Sequence, residues 1–234
     1  MSNLKIVISG GGTGGHIYPA LAVADYLKEN GFNLFWLGTD KGLETNVIPG
    51  YGYPLLKINV VAVRGKGLIR LLIAPIMLLL AFIQALSIII KIRPVAVLGM
   101  GGFVSGPGGI AAWLMRVPLL IHEQNAIAGL TNKLLAPLAV SVMTAFPGVF
   151  KETDKVTITG NPVRSDIINL SKPSSSATAG RTNGVTNERF NDEMLTQANA
   201  REDKMLDDLE GRMSSSLGAP VQMRMNANIG IKSK

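Results

Sequence analysis

Cysteine is absent from this 234-residue chain, and several motifs that identify nucleotide or metal sites are absent with it. Without cysteine, disulfide bonds and thiolate-bound metals are excluded. No Asp-x-Asp triplet occurs, so a metal ion that holds a diphosphate through that motif has no support. The Gly-Lys-Ser/Thr sequence of P-loop proteins is also missing. The sequence therefore predicts no metal and no cofactor.

Charged residues make up only 17% of the chain, and their distribution is uneven. Residues 1–170 hold 14 Lys and Arg against 8 Asp and Glu, whereas residues 171–234 hold 9 against 8. The basic excess thus lies in the first 170 residues, where it favours a phosphorylated ligand or an anionic membrane surface. Nucleic acid is disfavoured because no basic run is interleaved with aromatic residues.

The first five residues, Met-Ser-Asn-Leu-Lys, lead directly into a predicted strand. They lack the apolar core and the cleavage site of a signal peptide. We therefore expect a cytoplasmic protein.

Short apolar runs alternate with helical patterns over the first 170 residues. Strands are predicted at Lys5–Ser9, Asn33–Leu37, Leu55–Val60, Pro94–Leu98, Leu119–Glu123, Ser141–Ala145 and Val156–Thr159. Helices are predicted at Pro19–Asn30, Leu43–Ile48 and Leu130–Leu138, with others opening near Pro75 and Pro107. This alternation indicates an α/β fold, a Rossmann-like parallel sheet with helices on both faces. Ligands of such sheets bind outside the carboxyl ends of the strands.

Five glycines surround Thr13 between the first strand and Pro19. A strand, a glycine turn and a helix start bring bare backbone N–H groups to one place, which attracts anionic oxygen such as phosphate. Gly10, Gly12 and Gly15 match the dinucleotide fingerprint G-x-G-x-x-G, but Phe35-Trp36-Leu37 occupies the place of its acidic residue. Dinucleotide binding by an oxidoreductase is therefore the weaker interpretation.

Gly99–Gly109 repeats this design, with Pro107 at the next predicted helix start. Two N–H cradles would suit two phosphates, although glycines can also merely permit close packing. Ser105 could cap the helix or bind phosphate. Further strands deliver His122-Glu-Gln-Asn125 and Arg164 to the same edge, where Arg164 could clamp a phosphate or form a surface salt bridge. Of the two histidines, His122 is the more interior and is expected to be structural.

Leu71 to Ile90 is the most apolar part of the chain, with Gln84 and Ser87 as its polar residues. Its length is near that of a membrane span, but a helix opening at Pro75 would leave only about 16–18 residues. Basic residues at both ends give no orientation signal, and a buried strand follows directly. We expect a helix with one side in the core and the other against lipid headgroups, in preference to a helix wholly in the core.

The sequence changes character after Leu170. Residues 171–180 have the composition of a flexible linker, and residues 188–212 give a thin, irregular apolar stripe. The sequence therefore predicts a domain at residues 1–170, followed by a linker and a partly helical or disordered tail at residues 171–234.

Four stretches resemble, in order, motifs of the MurG family, bacterial transferases that add N-acetylglucosamine to lipid I in peptidoglycan synthesis. They are Gly11-Gly-Thr-Gly-Gly-His16-x-x-Pro19, Arg64-Gly-Lys-Gly67, Gly99–Gly109 with His122-Glu-Gln-Asn125, and Gly160-Asn-Pro-Val-Arg164. The resemblance runs from about Lys5 to Leu170. It implies the amino-terminal half of the two-domain, Rossmann-like glycosyltransferase type called GT-B.

The reaction that the resemblance implies is attack by the C4 hydroxyl of the muramoyl sugar on C1 of UDP-N-acetylglucosamine, with inversion. Such a reaction needs a base and groups that stabilise the departing diphosphate. His16 is the first candidate base and Glu123 the second; the alternative for His16 is a residue that only orients ligand. The family positions for the donor are Thr13, Gly14, Gly15, Asn125 and Arg164. Those for the acceptor pyrophosphate are Gly14, Gly15, Gly101, Gly102 and Ser105.

The implied partners are UDP-N-acetylglucosamine, lipid I (undecaprenyl-pyrophosphoryl-MurNAc-pentapeptide) and the anionic inner membrane surface, with the protein peripheral on its cytoplasmic face. The expected membrane contacts are Arg70, Leu72, Ile76, Leu79 and Lys91. Residues 171–234 do not resemble the family's second α/β domain, which holds most of the donor. The alternative function is therefore a membrane-surface module that binds a polyprenyl pyrophosphate without transferring sugar.

Overall fold

The computed structural model describes residues 4–60 and 67–162, without the side chains of residues 67–72, and four isolated positions at 207, 211, 214 and 215. Its strands are β1 (Lys5–Ser9), β2 (Asn33–Gly38), β3 (Leu55–Lys57), β4 (Ala96–Gly99), β5 (Leu119–Glu123), β6 (Ser141–Thr144) and β7 (Val156–Ile158). Its helices are α1 (Gly14–Glu29), α2 (Glu44–Val47), α3 (Gly67–Ile92), α4 (Ser105–Leu114) and α5 (Leu130–Leu135). A short 3-10 helix, Ile48–Tyr51, follows α2. The predicted tail, residues 171–234, otherwise lies outside the described residues.

The seven strands form one sheet in the order β3-β2-β1-β4-β5-β6-β7, and every neighbouring pair is parallel. This is the Rossmann-like strand order, extended by one strand, so the predicted fold class is confirmed. The order reverses between β1 and β4, and this reversal creates the crevice in which such sheets bind ligands.

The strands are apolar because helices cover both faces of the sheet. Ile6 and Ile8 of β1 pack in the core beneath α1, whereas Val7 packs in the second core with α3 and α4. Successive side chains of a strand point to opposite faces, so one apolar strand supplies both cores. The run Lys5–Ser9 was therefore readable as a strand from the sequence.

Two helices begin earlier than the sequence predicts, and both contain a proline. α1 starts at Gly14 rather than Pro19, and α3 starts at Gly67 rather than near Pro75, so α3 has 26 residues. A proline removes one helical hydrogen bond but does not have to be the first residue of its helix. The use of proline as a start signal was wrong at both positions.

Strand β3 ends at Lys57 instead of continuing to Val60. The N–H of Asn59 donates to Oε1 of Gln84 in α3, at 2.7 Å. This N–H points away from β2, because the neighbouring N–H of Ile58 donates to the carbonyl of Gly38 at 2.9 Å and successive N–H groups of a strand alternate in direction. One of the two polar residues in the apolar run thus ties α3 to the sheet.

Candidate active site

Two glycine loops meet at the carboxyl rim of the sheet. The first, residues 10–15, follows β1, and the second, residues 101–104, follows the neighbouring strand β4. The N–H of Met100 donates to the carbonyl of Ser9 at 2.7 Å. At Gly102, which has φ +79°, a Cβ atom would lie 2.3 Å from the carbonyl oxygen of Gly11, so no side chain fits there. The prediction that both loops share one rim is confirmed.

Several loop amides remain available to an anion. Among the described residues, the N–H groups of Gly11, Thr13, Gly14 and Gly15 have no protein acceptor, and Thr13 and Gly15 are exposed. The amides of Gly101 and Gly102 likewise have no acceptor within the described part of the chain. Bare amides at a helix start favour an anionic group. The geometry therefore permits the predicted phosphate cradle, whose ligand contacts stay a prediction.

Glu44 supports the first loop from below, a role that the sequence did not reveal. Its buried carboxylate accepts the N–H of Gly12 (3.0 Å) and both the N–H (3.0 Å) and the hydroxyl (2.7 Å) of Thr39. The amide of Gly12 is therefore not available to a phosphate. Glu44 lies 32 residues from Gly12 along the chain, so no local pattern could have predicted this contact.

Ser105 joins the two loops instead of facing the rim. Its buried Oγ donates to the carbonyl of Ser9 at 2.7 Å and lies 2.8 Å from the carbonyl oxygen of Gly101. The hydroxyl hydrogen is thus used within the protein. Its hydroxyl holds the two loops together, and binding of the acceptor pyrophosphate by Ser105 stays a prediction.

His16 lies in the first turn of α1, between the two loops. A Cβ atom at Gly101 would be 2.8 Å from its ring, so the second loop can approach only as glycine. Nδ1 of His16 lies 2.9 Å from Oε1 of Gln124, just after β5. Nε2 has no partner among the described residues. His16 is therefore oriented by the protein and presents one ring nitrogen to the rim.

Glu123, the second candidate base, is fully engaged within the protein. Oε1 accepts from the N–H (3.0 Å) and Nδ2 (2.8 Å) of Asn125, and Oε2 accepts from the N–H of Gly129 (3.0 Å) and Nδ2 of Asn132 (2.9 Å). Burial raises the pKa of this carboxyl, but the hydrogen bonds from Gly129, Asn125 and Asn132 outweigh it and hold the pKa below its ordinary value. A buried carboxylate with four donors is a poor proton acceptor. These contacts disfavour Glu123 as the base, because its carboxylate orders the loop between β5 and α5.

The other predicted site residues divide into two groups. Thr13, Gly14, Gly15 and Asn125 lie at the rim with His16. Arg164, most of the Arg64-Gly-Lys-Gly67 motif and the side chains of Arg70 and Leu72 lie outside the described residues. Within the described ranges, no three His, Cys, Asp or Glu side chains are close enough to hold a metal ion.

Helix α3 buries one narrow stripe and exposes large apolar side chains elsewhere. Its stretch Ile73–Ile92 is long and apolar enough to cross a membrane, and 22% of its most apolar part is buried. The buried side chains are Ala74, Ala81, Ala85 and Ile89, which face the core. The outer apolar face of α3 comprises Ile73, Ile76, Leu78, Leu79, Leu80, Ile83 and Ile90, all exposed. A helix wholly in the core is therefore excluded, whereas lipid contact stays a prediction.

The fold and the rim define the class of protein: a doubly wound, Rossmann-like α/β domain with two glycine loops at the carboxyl rim of its sheet. Residues 6–144 match the glycosyltransferase family 28 N-terminal domain. The chain belongs to this family, as the glycine loops and their shared rim indicate.

Individual relatives give a more specific comparison than the family does. The chain is 56% identical over 169 residues to the UDP-N-acetylglucosamine--N-acetylmuramyl-(pentapeptide) pyrophosphoryl-undecaprenol N-acetylglucosamine transferase of Nitrosococcus oceani, covering 72% of this chain and 47% of that protein. The transferase of the same name from Aeromonas hydrophila is 52% identical over 168 residues, covering 72% and 46%. The crystal structure of Acinetobacter baumannii MurG aligns with a TM-score of 0.60 and 36% identity, covering 73% and 48%. The chain thus spans about half the length of the curated relatives it matches.

Proposed function

We propose that this chain supplies the acceptor-binding half of a transferase that moves N-acetylglucosamine from UDP-N-acetylglucosamine to lipid I. The observation that carries the proposal is the position of His16, which presents a free Nε2 between two loops with available amides. The names of the relatives support UDP-N-acetylglucosamine as the donor and lipid I as the acceptor. The domain is proposed to extend over residues 1–170.

The chemistry needs a base, a pyrophosphate site and a leaving group. Nε2 of His16 would take the proton of the C4 hydroxyl of the muramoyl sugar, while the oxygen of that hydroxyl bonds to C1 of the donor sugar. The bond from C1 to the diphosphate oxygen breaks, and UDP leaves with the electron pair. The free amides of Gly14, Gly15, Gly101 and Gly102 would hold the acceptor pyrophosphate, and Thr13, Asn125 and Arg164 would face the donor.

A hybrid enzyme tests this proposal directly. Residues 1–170 of this chain would replace the corresponding half of the Aeromonas hydrophila relative, and transfer of labelled N-acetylglucosamine to a lipid I analogue would be measured. We expect transfer by the hybrid and binding of the analogue by the 234-residue chain in calorimetry. A folded hybrid that neither binds the analogue nor transfers sugar would contradict the proposal. Binding without any transfer would favour the membrane-surface module instead.

We also propose that the outer apolar face of α3 contacts the inner membrane surface, which makes the protein peripheral on the cytoplasmic side. Ile76 and Leu79 are 60% and 57% exposed. Exposed Lys91 and Arg93 at the end of α3 add positive charge that attracts anionic lipid. α4, which packs against α3, exposes Trp113 as well.

Flotation with vesicles that contain phosphatidylglycerol tests this membrane contact. We expect Ile76→Asp with Leu79→Asp to weaken binding by about 30-fold or more, because each side chain forfeits roughly 1–2 kcal/mol of apolar burial. The matched control is Phe146→Asp with Ile158→Asp, two exposed apolar residues remote from α3, which should float like the parent. If the α3 variant floats as well as the parent, the outer apolar face of α3 does not bind lipid.

A further inference from the structure

A chain of hydrogen bonds connects His16 to the far end of the sheet. Nδ1 of His16 lies 2.9 Å from Oε1 of Gln124, and Nε2 of Gln124 lies 3.0 Å from Nδ1 of His122. Nε2 of His122 lies 2.9 Å from the carbonyl oxygen of Gly160, after β7. This series of hydrogen bonds thus links groups at the carboxyl ends of β1, β5 and β7 along the same rim.

The carbonyl of Gly160 fixes the direction of every bond in this chain. A carbonyl can only accept, so Nε2 of His122 must carry hydrogen. Burial lowers the pKa of His122 to about 4, so its ring is neutral at physiological pH and Nδ1 must accept. The Gln124 atom facing it must then be the amide nitrogen, which also donates to the carbonyl of His122 at 3.2 Å.

It follows that the other polar atom of Gln124 is its carbonyl oxygen, which accepts from Nδ1 of His16. A neutral His16 therefore carries its proton on Nδ1 and leaves Nε2 bare. We propose that Gln124 and His122 are positioning residues that hold His16 in the Nδ1–H tautomer, so that Nε2 faces the rim as a proton acceptor. The use of that lone pair in transfer rests on the proposed function, whereas the tautomer itself does not.

The burial of Gln124 and His122 strengthens their control over the tautomer of His16. In free histidine the Nε2–H tautomer is the more populated one, so the protein must favour the other. Gln124 and His122 are both buried, so water competes for their bonds less than it would at an exposed site. Gly160 is held by its own N–H, which donates to the carbonyl of Thr144 at 3.2 Å. The glycine of the Gly160-Asn-Pro motif thus orients His16 through two intervening side chains.

Nitrogen NMR of the full 234-residue chain tests the assignment without an activity assay. The chain contains two histidines, so selective 15N labelling of histidine reports only His16 and His122. Long-range proton–nitrogen correlations distinguish the two neutral tautomers. We expect Nδ1–H at His16 and Nε2–H at His122. Finding His16 predominantly as Nε2–H would overturn the proposal.

Two substitutions of Gln124 separate orientation from packing. Gln124→Met keeps the size of the side chain but removes its hydrogen bonds to both histidine rings, so His16 should shift towards the Nε2–H tautomer. Gln124→Glu keeps an acceptor for His16, so the Nδ1–H tautomer should persist there while His122 loses its donor. The matched control is Tyr53→Phe, which removes a partly buried hydrogen bond to Asp25 on the α1 side of the sheet and should leave both tautomers unchanged.

Kinetics of the hybrid enzyme give the second measurement. The Nε2–H tautomer of His16 has no lone pair on Nε2 to accept the proton. We therefore expect Gln124→Met to lower kcat by about 10- to 100-fold, with KM changed less than about twofold. An unchanged His16 tautomer in Gln124→Met, or a loss confined to KM, would overturn the positioning role. If the hybrid were inactive both with Gln124 and with each substitution, the result would count against the proposed function alone, because the tautomer is measured independently.

Discussion

Replacing His16 by alanine in the hybrid enzyme is expected to lower kcat by about 100- to 10,000-fold, the usual contribution of a general base. Its Nε2 has no partner among the described residues, whereas Glu123, the other candidate base, is engaged by four donors. KM for the lipid I analogue should change little, because loop amides rather than the imidazole are proposed to bind the pyrophosphate. Steady-state kinetics with labelled donor sugar measure both parameters.

His16→Asn separates the base from its packing. Asparagine can keep a donor towards Oε1 of Gln124, but it offers no basic nitrogen to the rim. It should therefore be about as inactive as His16→Ala. If His16 only orients ligand, His16→Asn would instead keep kcat within about tenfold and raise KM, and the assignment of the base would fail. Lys28→Ala, exposed at the other end of α1, is the control and should behave like the parent.

The fold could be predicted because its signals are local. Lys5–Ser9 and Leu119–Glu123 were both placed correctly, since a strand buried on two faces contains a continuous apolar run rather than an alternating pattern. Once parallel strands alternate with helices, the loops after adjacent strands necessarily reach the same rim. The meeting of the two glycine loops thus followed from topology.

The hydrogen bonds of the site could not be predicted because they join residues that are far apart in the sequence. His16 and Gln124 are separated by 108 residues, and Gln124 in the sequence is only one polar residue among four. The first turn of α1 was missed because the glycines were interpreted as a turn and Pro19 as the start of the helix, whereas Pro19 lies inside it. Glu123 looked like a base because the sequence shows its carboxylate but not its donors.

Acidification is expected to destabilise the chain through His122. Burial lowers the pKa of His122 to about 4, and the bond to Gly160 and the nearby charge of Glu123 offset this only in part. Between the ordinary value of 6.5 and about 4, the unfolded chain binds a proton that the folded chain does not, so the free energy of unfolding falls as the pH falls. Since a tenfold change in proton affinity is worth about 1.4 kcal/mol, the loss should reach about 3 kcal/mol by pH 4.

Urea unfolding of the 234-residue chain between pH 7 and 4.5 measures this loss while avoiding most of the titration of carboxylates. Glu123 has a pKa below its ordinary value of 4.5, so its stabilisation is present above that pH and is lost only below it. His122→Gln removes the titrating ring, and its free energy of unfolding, although lower at pH 7, should be nearly constant across this window. Equal slopes for parent and variant would mean that His122 is accessible to protons in the folded chain. The direction of the hydrogen bonds that hold His16 would then no longer follow from a neutral His122.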